Sequence, residues 1–290
     1  MKLLVTLYSM EQMKTLAKMK IAGLIFGGPF SLNYHFSFDE IRTISQYLRD
    51  NQLESYLCLD AFAHEHDLKK LEEYLDFIKE IDVDGIYYHD FAVLEAANRK
   101  GLKDKLIYDG MTMVNNSLDA HLYAKMGKGV VLSRELTLKE YQNILKRLNK
   151  KGDMQIFGHL RMSYSRRKFL TNYFDLLERK EDLSRGHYTI SEEQRDYQMP
   201  IVEDDYGTRI YTDYVYALFD ELLLLKDDIG RAIIDGLFLS DEIIYDFSRL
   251  YSEINGNNAR VLKEMMANKY PDIDFNSGYL YLKTNKVKES

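Results

Sequence analysis

Cysteine is almost missing: the 290 residues hold one, Cys58. That excludes a disulfide framework, and any metal or iron–sulfur site built from several thiolates of this chain. Proline is scarce, with three, and no Ser/Gly-rich stretch marks a flexible linker. Tryptophan is absent. No apolar run approaches the ~20 residues that span a bilayer. The apolar start at 1–5 is soon followed by Ser9 and Glu11, too short for a signal-peptide core, so a cytoplasmic protein is expected. Positive charge is also in deficit, with a net charge of −7. That balance argues against wrapping duplex DNA, though it leaves room for a local basic patch.

Against these absences stands a regular beat of apolar runs and amphipathic segments. Strands are predicted at 3–8, 23–27, 55–59, 84–88, 105–108, 129–132, 154–157 and 232–234. Helices are predicted at 10–20, 37–51, 66–81, 93–99, 117–126 and 137–149. Ser37 with Glu40 three positions on fits a capping box. The strand runs are apolar throughout, as parallel strands covered on both faces are. The pattern predicts an α/β protein, a (β/α)8 TIM-type barrel. A doubly wound sheet would carry a Gly-rich phosphate turn after its first strand, where this chain reads Tyr8-Ser9-Met10-Glu11.

The beat breaks after Phe169. Runs at 188–190, 199–202 and 208–211, with Asp205-Tyr206-Gly207 as a turn, predict a small antiparallel β insertion between strands seven and eight, at about 175–213. Helices follow at 214–225 and 241–254. The barrel with its insertion is assigned to 1–254 and a polar C-terminal extension to 255–290, with 283–290 expected to fray.

Chemistry in such a barrel belongs at the C-terminal ends of the strands. Asp90 and Asp109 there form a candidate acid–base pair, with helix capping as the simpler role. Arg134 and Glu135 end strand six, either as substrate contacts or as an ion pair closing the barrel. Asp60 with His64 and His66 is a weak candidate metal set, equally read as a polar helix start. Asp90, Asn115 and Arg134 would line a small-metabolite site. Cys58, inside an apolar strand, reads as a buried small hydrophobe. Arg161, Arg166, Arg167 and Lys168, interleaved with Tyr164 and Phe169, suit phosphate or single-stranded RNA contact, or else form a solvated loop paired with Glu178, Glu181 and Asp182.

The Ser133-Arg134-Glu135-Leu136 element within 129–140 resembles the collagenase-like peptidase family U32, as do 154–173 around His159 and Arg161 and 200–208 with Glu203-Asp204-Asp205-Tyr206-Gly207. Asp84-Gly85 with Asp90, and 111–115, add to a likeness that runs from about 80 to 240. In cysteine-bearing relatives the resemblance implies four thiolates holding a four-iron–four-sulfur cluster, used for oxygen-independent hydroxylation of tRNA wobble uridine, ribosomal RNA or ubiquinone precursors. This chain departs from that pattern. Arg161 and Lys168 stand where the family signature has cysteines, Arg166 stands where it has a glycine, and the second cysteine pair near 179–188 is missing. Cations cannot replace soft thiolate ligands, so no cofactor is expected.

The resemblance further implies that members act in pairs. The resemblance therefore implies a non-catalytic or RNA-positioning partner of a cysteine-bearing paralogue, touching tRNA through Asn115, His159, Arg161, Arg166, Arg167 and Lys168, with no membrane or DNA partner. The alternative is a stand-alone hydrolase, metal-assisted through Asp60, His64 and His66, with Asp90, Asp109, Arg134 and Glu135 as catalytic candidates.

Overall fold

Strands that are apolar on both faces need cover inside and out, and closure into a barrel ringed by helices supplies it. The computed structural model describes residues 1–183, 188–191, 193 and 197–282. In chain order its elements are β1 (Lys2–Thr6), α1 (Met10–Leu16), β2 (Gly23–Phe26), α2 (Phe38–Asp50), β3 (Glu54–Leu59), α3 (Leu68–Ile81), β4 (Gly85–Tyr88) and α4 (Phe91–Arg99). Then come β5 (Leu106–Asp109), α5 (Ser117–Ala124), β6 (Gly129–Val131), α6 (Leu138–Leu148), β7 (Gly152–Gly158), β8 (Arg161–Ser165), α7 (Phe169–Leu176) and β9 (Tyr188–Ile190). The chain continues through β10 (Met199–Asp204), β11 (Gly207–Tyr211), β12 (Val215–Ala217), α8 (Asp220–Leu225), β13 (Arg231–Ile234), α9 (Asp241–Glu253), α10 (Ala259–Lys269) and β14 (Phe275–Asn276). Strands β1 to β7 pair in parallel in sequence order, and β13 closes the ring by pairing with both β1 and β7. This is a (β/α)8 TIM-type barrel with a separate antiparallel sheet.

Alternate residues on each strand divide between two cores. Leu3, Val5, Leu57, Leu59 and Leu106 pack under the helices, while Leu4, Ile25, Cys58, Ile107, Val131 and Ile233 meet inside the barrel. Extending that inward parity by two residues reaches Thr6, Asp60, Asp109 and Asp235. The alternation that fills the barrel thus delivers polar groups to its C-terminal mouth. At the opposite end the inward set includes Tyr87, Asp153 and Arg231, all buried. Arg231 Nε donates to Asp153 Oδ2 at 2.6 Å, and Tyr87 Oη donates to the same oxygen at 2.9 Å. Outside, Ser37 and Thr137 cap α2 and α6 in capping boxes with Glu40 and Glu140.

Three features differ from the sequence expectation. The antiparallel sheet, in the order β8-β11-β10-β9, begins at Arg161, well before residue 175. The 214–225 segment is not one helix. Val215–Ala217 forms β12, antiparallel to β7 and parallel to β14, and the helix starts only at Asp220. Val and Tyr favour that pairing, whereas the acidic first turn Asp220-Glu221 suits a helix start. Beyond 254 the chain does more than trail as a polar extension, since Met266 and Leu280 are buried against the barrel core. The 283–290 segment expected to fray lies outside the described residues. Among those described, no helix is long and apolar enough to cross a membrane.

Removing one partner of a buried ion pair leaves an uncompensated charge and costs about 3–5 kcal/mol. Asp153→Ala, which strands Arg231 inside the barrel, is therefore expected to lower the free energy of unfolding in urea by about that amount. A loss below about 1 kcal/mol would contradict the role given to this pair.

Candidate functional site

The mouth of the barrel is built from strand ends, and two arginines reach into it from outside the barrel strands. Arg134, just beyond β6, donates from Nη1 and Nη2 to the two oxygens of Asp109 at 3.2 and 2.9 Å, and from Nε to Gln155 Oε1 at 3.0 Å. Arg161, the first residue of β8, donates from Nη1 to Asp60 Oδ2 at 2.6 Å, with side chains only 8% and 10% exposed. The other Asp60 oxygen accepts from the Leu32 N–H at 2.8 Å. Asp235 accepts from Tyr8 Oη at 2.7 Å and from the Leu237 N–H at 3.1 Å. Gly158 has φ +109°, and a Cβ there would meet the Asp235 carbonyl at 2.1 Å, so only glycine permits the turn that brings His159 to the rim.

The antiparallel sheet lies over this mouth and is clamped to it. Asn33, in the connection between β2 and α2, donates from Nδ2 to Tyr211 Oη at 2.7 Å and accepts from Arg209 Nη2 at 3.0 Å. Arg209 in turn holds both oxygens of Asp204 at 2.7 and 2.8 Å. Tyr206 Oη accepts from the Phe30 N–H at 2.7 Å, and Tyr164 stacks on Phe62 with ring centroids 5.2 Å apart.

Burial and pairing pull the mouth's titratable groups in opposite directions. Burial alone would raise the Asp109 carboxyl, but the Arg134 guanidinium more than offsets it and holds Asp109 below the usual carboxylate range. Burial raises Asp235 despite its bond from Tyr8, and burial lowers His159 despite the bond to the Thr212 carbonyl. The Cys58 thiol is pushed well up by burial and by the neighbouring Asp60. These groups leave a cavity of about 70 Å³. That is room for a couple of waters at ~30 Å³ each, against the ~300–1,000 Å³ of ordinary ligand pockets.

The candidates from the sequence scatter accordingly. Asp90 caps α4, accepting from the Ala92 and Ala63 N–H groups at 2.9 Å each, and so stands apart from Asp109. Arg134 is paired with Asp109 rather than with Glu135, which is exposed, because the chain turns after Ser133 and directs the two neighbouring side chains apart. Asn115 is exposed and accepts from Asn116. His64 and His66 stack on each other outside the mouth, with His66 beside Asp67, while Asp60 is turned to Arg161. Among the described residues, no three His, Cys, Asp or Glu side chains are grouped to hold a metal ion.

The basic cluster is split by strand geometry. Arg161 turns into the mouth, Arg166 donates to the Phe62 carbonyl, Lys168 pairs with Asp205 at 3.3 Å, and Arg167 is exposed. The partners are thus not the expected Glu178 and Glu181, and Glu181 is taken by Arg179. Sequence reasoning passed over Gln155, Asn33 and Arg209, and it reads Tyr211 as a ring that could stack on a base, where the structure buries it and bonds it to Asn33. Gln155 shares inward parity with Asp153, whereas Asn33 and Arg209 meet only through the tertiary fold.

A TIM barrel with a polar, lidded mouth is the class that fold and site define. The chain belongs to peptidase family U32, whose family model matches residues 9–288. It is 37% identical over 144 residues to an uncharacterized protease of Methanocaldococcus jannaschii, a match covering 48% of this chain and 35% of that relative's length. It is 27% identical over 224 residues to tRNA hydroxylation protein P2 of Bacillus subtilis, covering 75% of this chain and 72% of that protein. Similarity to tRNA hydroxylation protein P1 of the same organism is 23% over 140 residues, covering 48% and 33%. A solved U32 peptidase structure superposes with a TM-score of 0.50 at 12% identity, covering 81% of this chain and 92% of that one, a likeness of fold.

The residues present do not fit a four-thiolate cluster. The one thiol is buried in β3, and positions 161 and 168 carry cations already committed to Asp60 and Asp205.

Arg134→Gln tests the pairing at the mouth. With Arg134 in place, Asp109 has a depressed folded pKa, so its stabilisation is complete above the unfolded value of about 4 and is lost only in stronger acid. Without Arg134, the buried carboxyl titrates above its unfolded value, and stability falls as pH rises beyond about 4. The variant is expected to be less stable than the wild type by about 3 kcal/mol at pH 7 and by less at pH 4.5, read from urea midpoints. An equal loss at both pH values would contradict the pairing.

Proposed function

We propose that this chain is a cluster-free subunit that positions tRNA for a cysteine-bearing member of its own family, which performs the hydroxylation of wobble uridine. One observation carries the reading. The end of the barrel where this fold does chemistry is occupied by Arg161–Asp60 and Arg134–Asp109, which leave only about 70 Å³ between them, while the larger groove of about 720 Å³ lies outside these pairs, between the antiparallel sheet and the rim at His35, Leu237 and Phe238. The relatives called tRNA hydroxylation proteins P1 and P2 support the choice of RNA. Such a subunit works in the cytoplasm. Arg166 and Arg167, outside the mouth beside the Phe62–Tyr164 stack, offer phosphate contacts next to aromatic rings. A stand-alone hydrolase would need an accessible nucleophile beside a base. The rings of His89 and His159 hold Nδ1 against the backbone carbonyls of Asp109 and Thr212, at 2.7 Å each, and among the described residues no Ser, Thr or Cys side chain is hydrogen-bonded to the remaining ring nitrogen of either.

Capture of the tagged chain from its native host without oxygen, read by protein and RNA mass spectrometry and iron analysis, tests this. The expected eluate holds a cysteine-bearing family member with its iron, and tRNA. Arg166→Glu with Arg167→Glu is expected to reduce the tRNA at least tenfold while retaining the protein partner. Recovery of the chain alone, with peptidase activity in the purified material, would overturn the reading in favour of the hydrolase.

A further inference from the structure

The end of the barrel opposite the mouth carries an uneven distribution of charge for a chain with a net charge of −7. Three successive connections meet there: the one before β5, the one between α5 and β6, and the one between α6 and β7. They are held side by side, with the Lys128 N–H donating to the Leu106 carbonyl at 2.7 Å and the Val130 N–H to the Lys151 carbonyl at 2.9 Å. Together with the last turn of α6 they present Lys103, Lys125, Lys146, Lys150 and Lys151, all exposed and none in an ion pair among the described residues. Nearby, Lys105 is neutralised by Asp82 and Arg147 reaches Ser117. Asp104 is the exposed acid within these connections.

Helix C-termini favour cations, and that accounts for Lys125 and Lys146 at the ends of α5 and α6. It does not account for Lys150 and Lys151, which lie beyond α6 on the connection itself. Lys150 even occupies the left-handed region, φ +63°, where a residue with a Cβ is strained and glycine or asparagine would sit more easily. Like charges crowded without partners cost stability, and a polyanion laid across them removes that cost.

We propose that this lysine face, on the β5–β7 sector at the N-terminal end of the barrel, is a second polynucleotide contact that tracks the sugar–phosphate backbone of the RNA. The identity of that polyanion rests on the RNA-positioning reading. Lysine acts here as a point charge, which suits sequence-independent phosphate contact. A membrane-binding face would add large apolar side chains to insert beside the cations, and none of the exposed large hydrophobic residues falls within these connections. An L-shaped tRNA is longer than the barrel is tall, so a contact at this end and one at the arginine rim can belong to a single bound molecule.

The test is binding of purified tRNA to the full chain, followed by fluorescence anisotropy across a salt series. Three proteins are compared: the wild type, a variant combining Lys125→Gln, Lys146→Gln, Lys150→Gln and Lys151→Gln, and a variant combining Arg166→Glu and Arg167→Glu. The urea midpoint of the lysine variant checks that it folds. The lysine variant is expected to bind at least tenfold more weakly at moderate salt, with the slope of log affinity against log salt reduced by about three to four. If the wild type binds and the arginine variant weakens while the lysine variant matches the wild type in affinity and slope, this inference falls and the RNA reading stands. If the wild type binds no tRNA at low salt, the RNA reading falls and takes this inference with it. Wild-type binding to anionic phosphatidylserine vesicles that the lysine variant loses, without any tRNA binding, would replace the polynucleotide with a membrane.

Discussion

The ion pair between Arg161 and Asp60 joins the two parts of this molecule. Asp60 stands at the end of an inward-facing column on β3, and Arg161 begins the first strand of the antiparallel sheet. Once the pair forms, that sheet is fixed over the barrel mouth, and Asn33, Arg209 and Tyr211 complete the clamp. The geometry is costly to disrupt, because either charge left alone would be buried without compensation. It also decides what the mouth can hold. A cation at this position cannot serve as a soft ligand, and its partner carboxylate is occupied.

The second pair, Arg134 with Asp109, works the same way from the other side of the mouth, and Gln155 fixes the guanidinium that joins them. Two arginines and two aspartates satisfy one another where a related barrel would present groups to a substrate. The family supplies the fold and the surroundings. In the proposed RNA-positioning role these side chains have a structural use, and function moves to surfaces: the arginine rim beside Phe62 and Tyr164, and the lysines at the far end of the barrel.

Much of this was legible in the sequence. The repeat of uniformly apolar strands and amphipathic helices predicts the barrel, and the ends of those strands place Asp60, Asp109 and Asp235 at the mouth. Capping at Ser37 followed from local spacing alone. The missing parts have physical causes. Asp90 and Asp109 read as a pair because local pattern does not show that one caps α4 while the other binds Arg134, 25 positions away. The arginine cluster reads as one patch because the sequence does not show that Arg161 begins β8 while Arg166, Arg167 and Lys168 lie beyond its end. The sequence at Val215–Ala217 reads as helix because its pairing partners, β7 and β14, come from distant parts of the chain.

The claim that the mouth is structural can be tested by replacing its chemistry and keeping its volume. Substituting Arg134→Met together with Asp109→Leu removes both charges, and such exchanges of buried pairs are often neutral for stability. The measurement is the fraction of hydroxylated wobble uridine in tRNA, by nucleoside mass spectrometry, from a host lacking this chain and supplied with either the wild type or the double variant. The account predicts no hydroxylation without the chain and equal hydroxylation with either version. Loss of hydroxylation with a double variant that is folded and present at wild-type level would contradict it, and would return the mouth to catalysis.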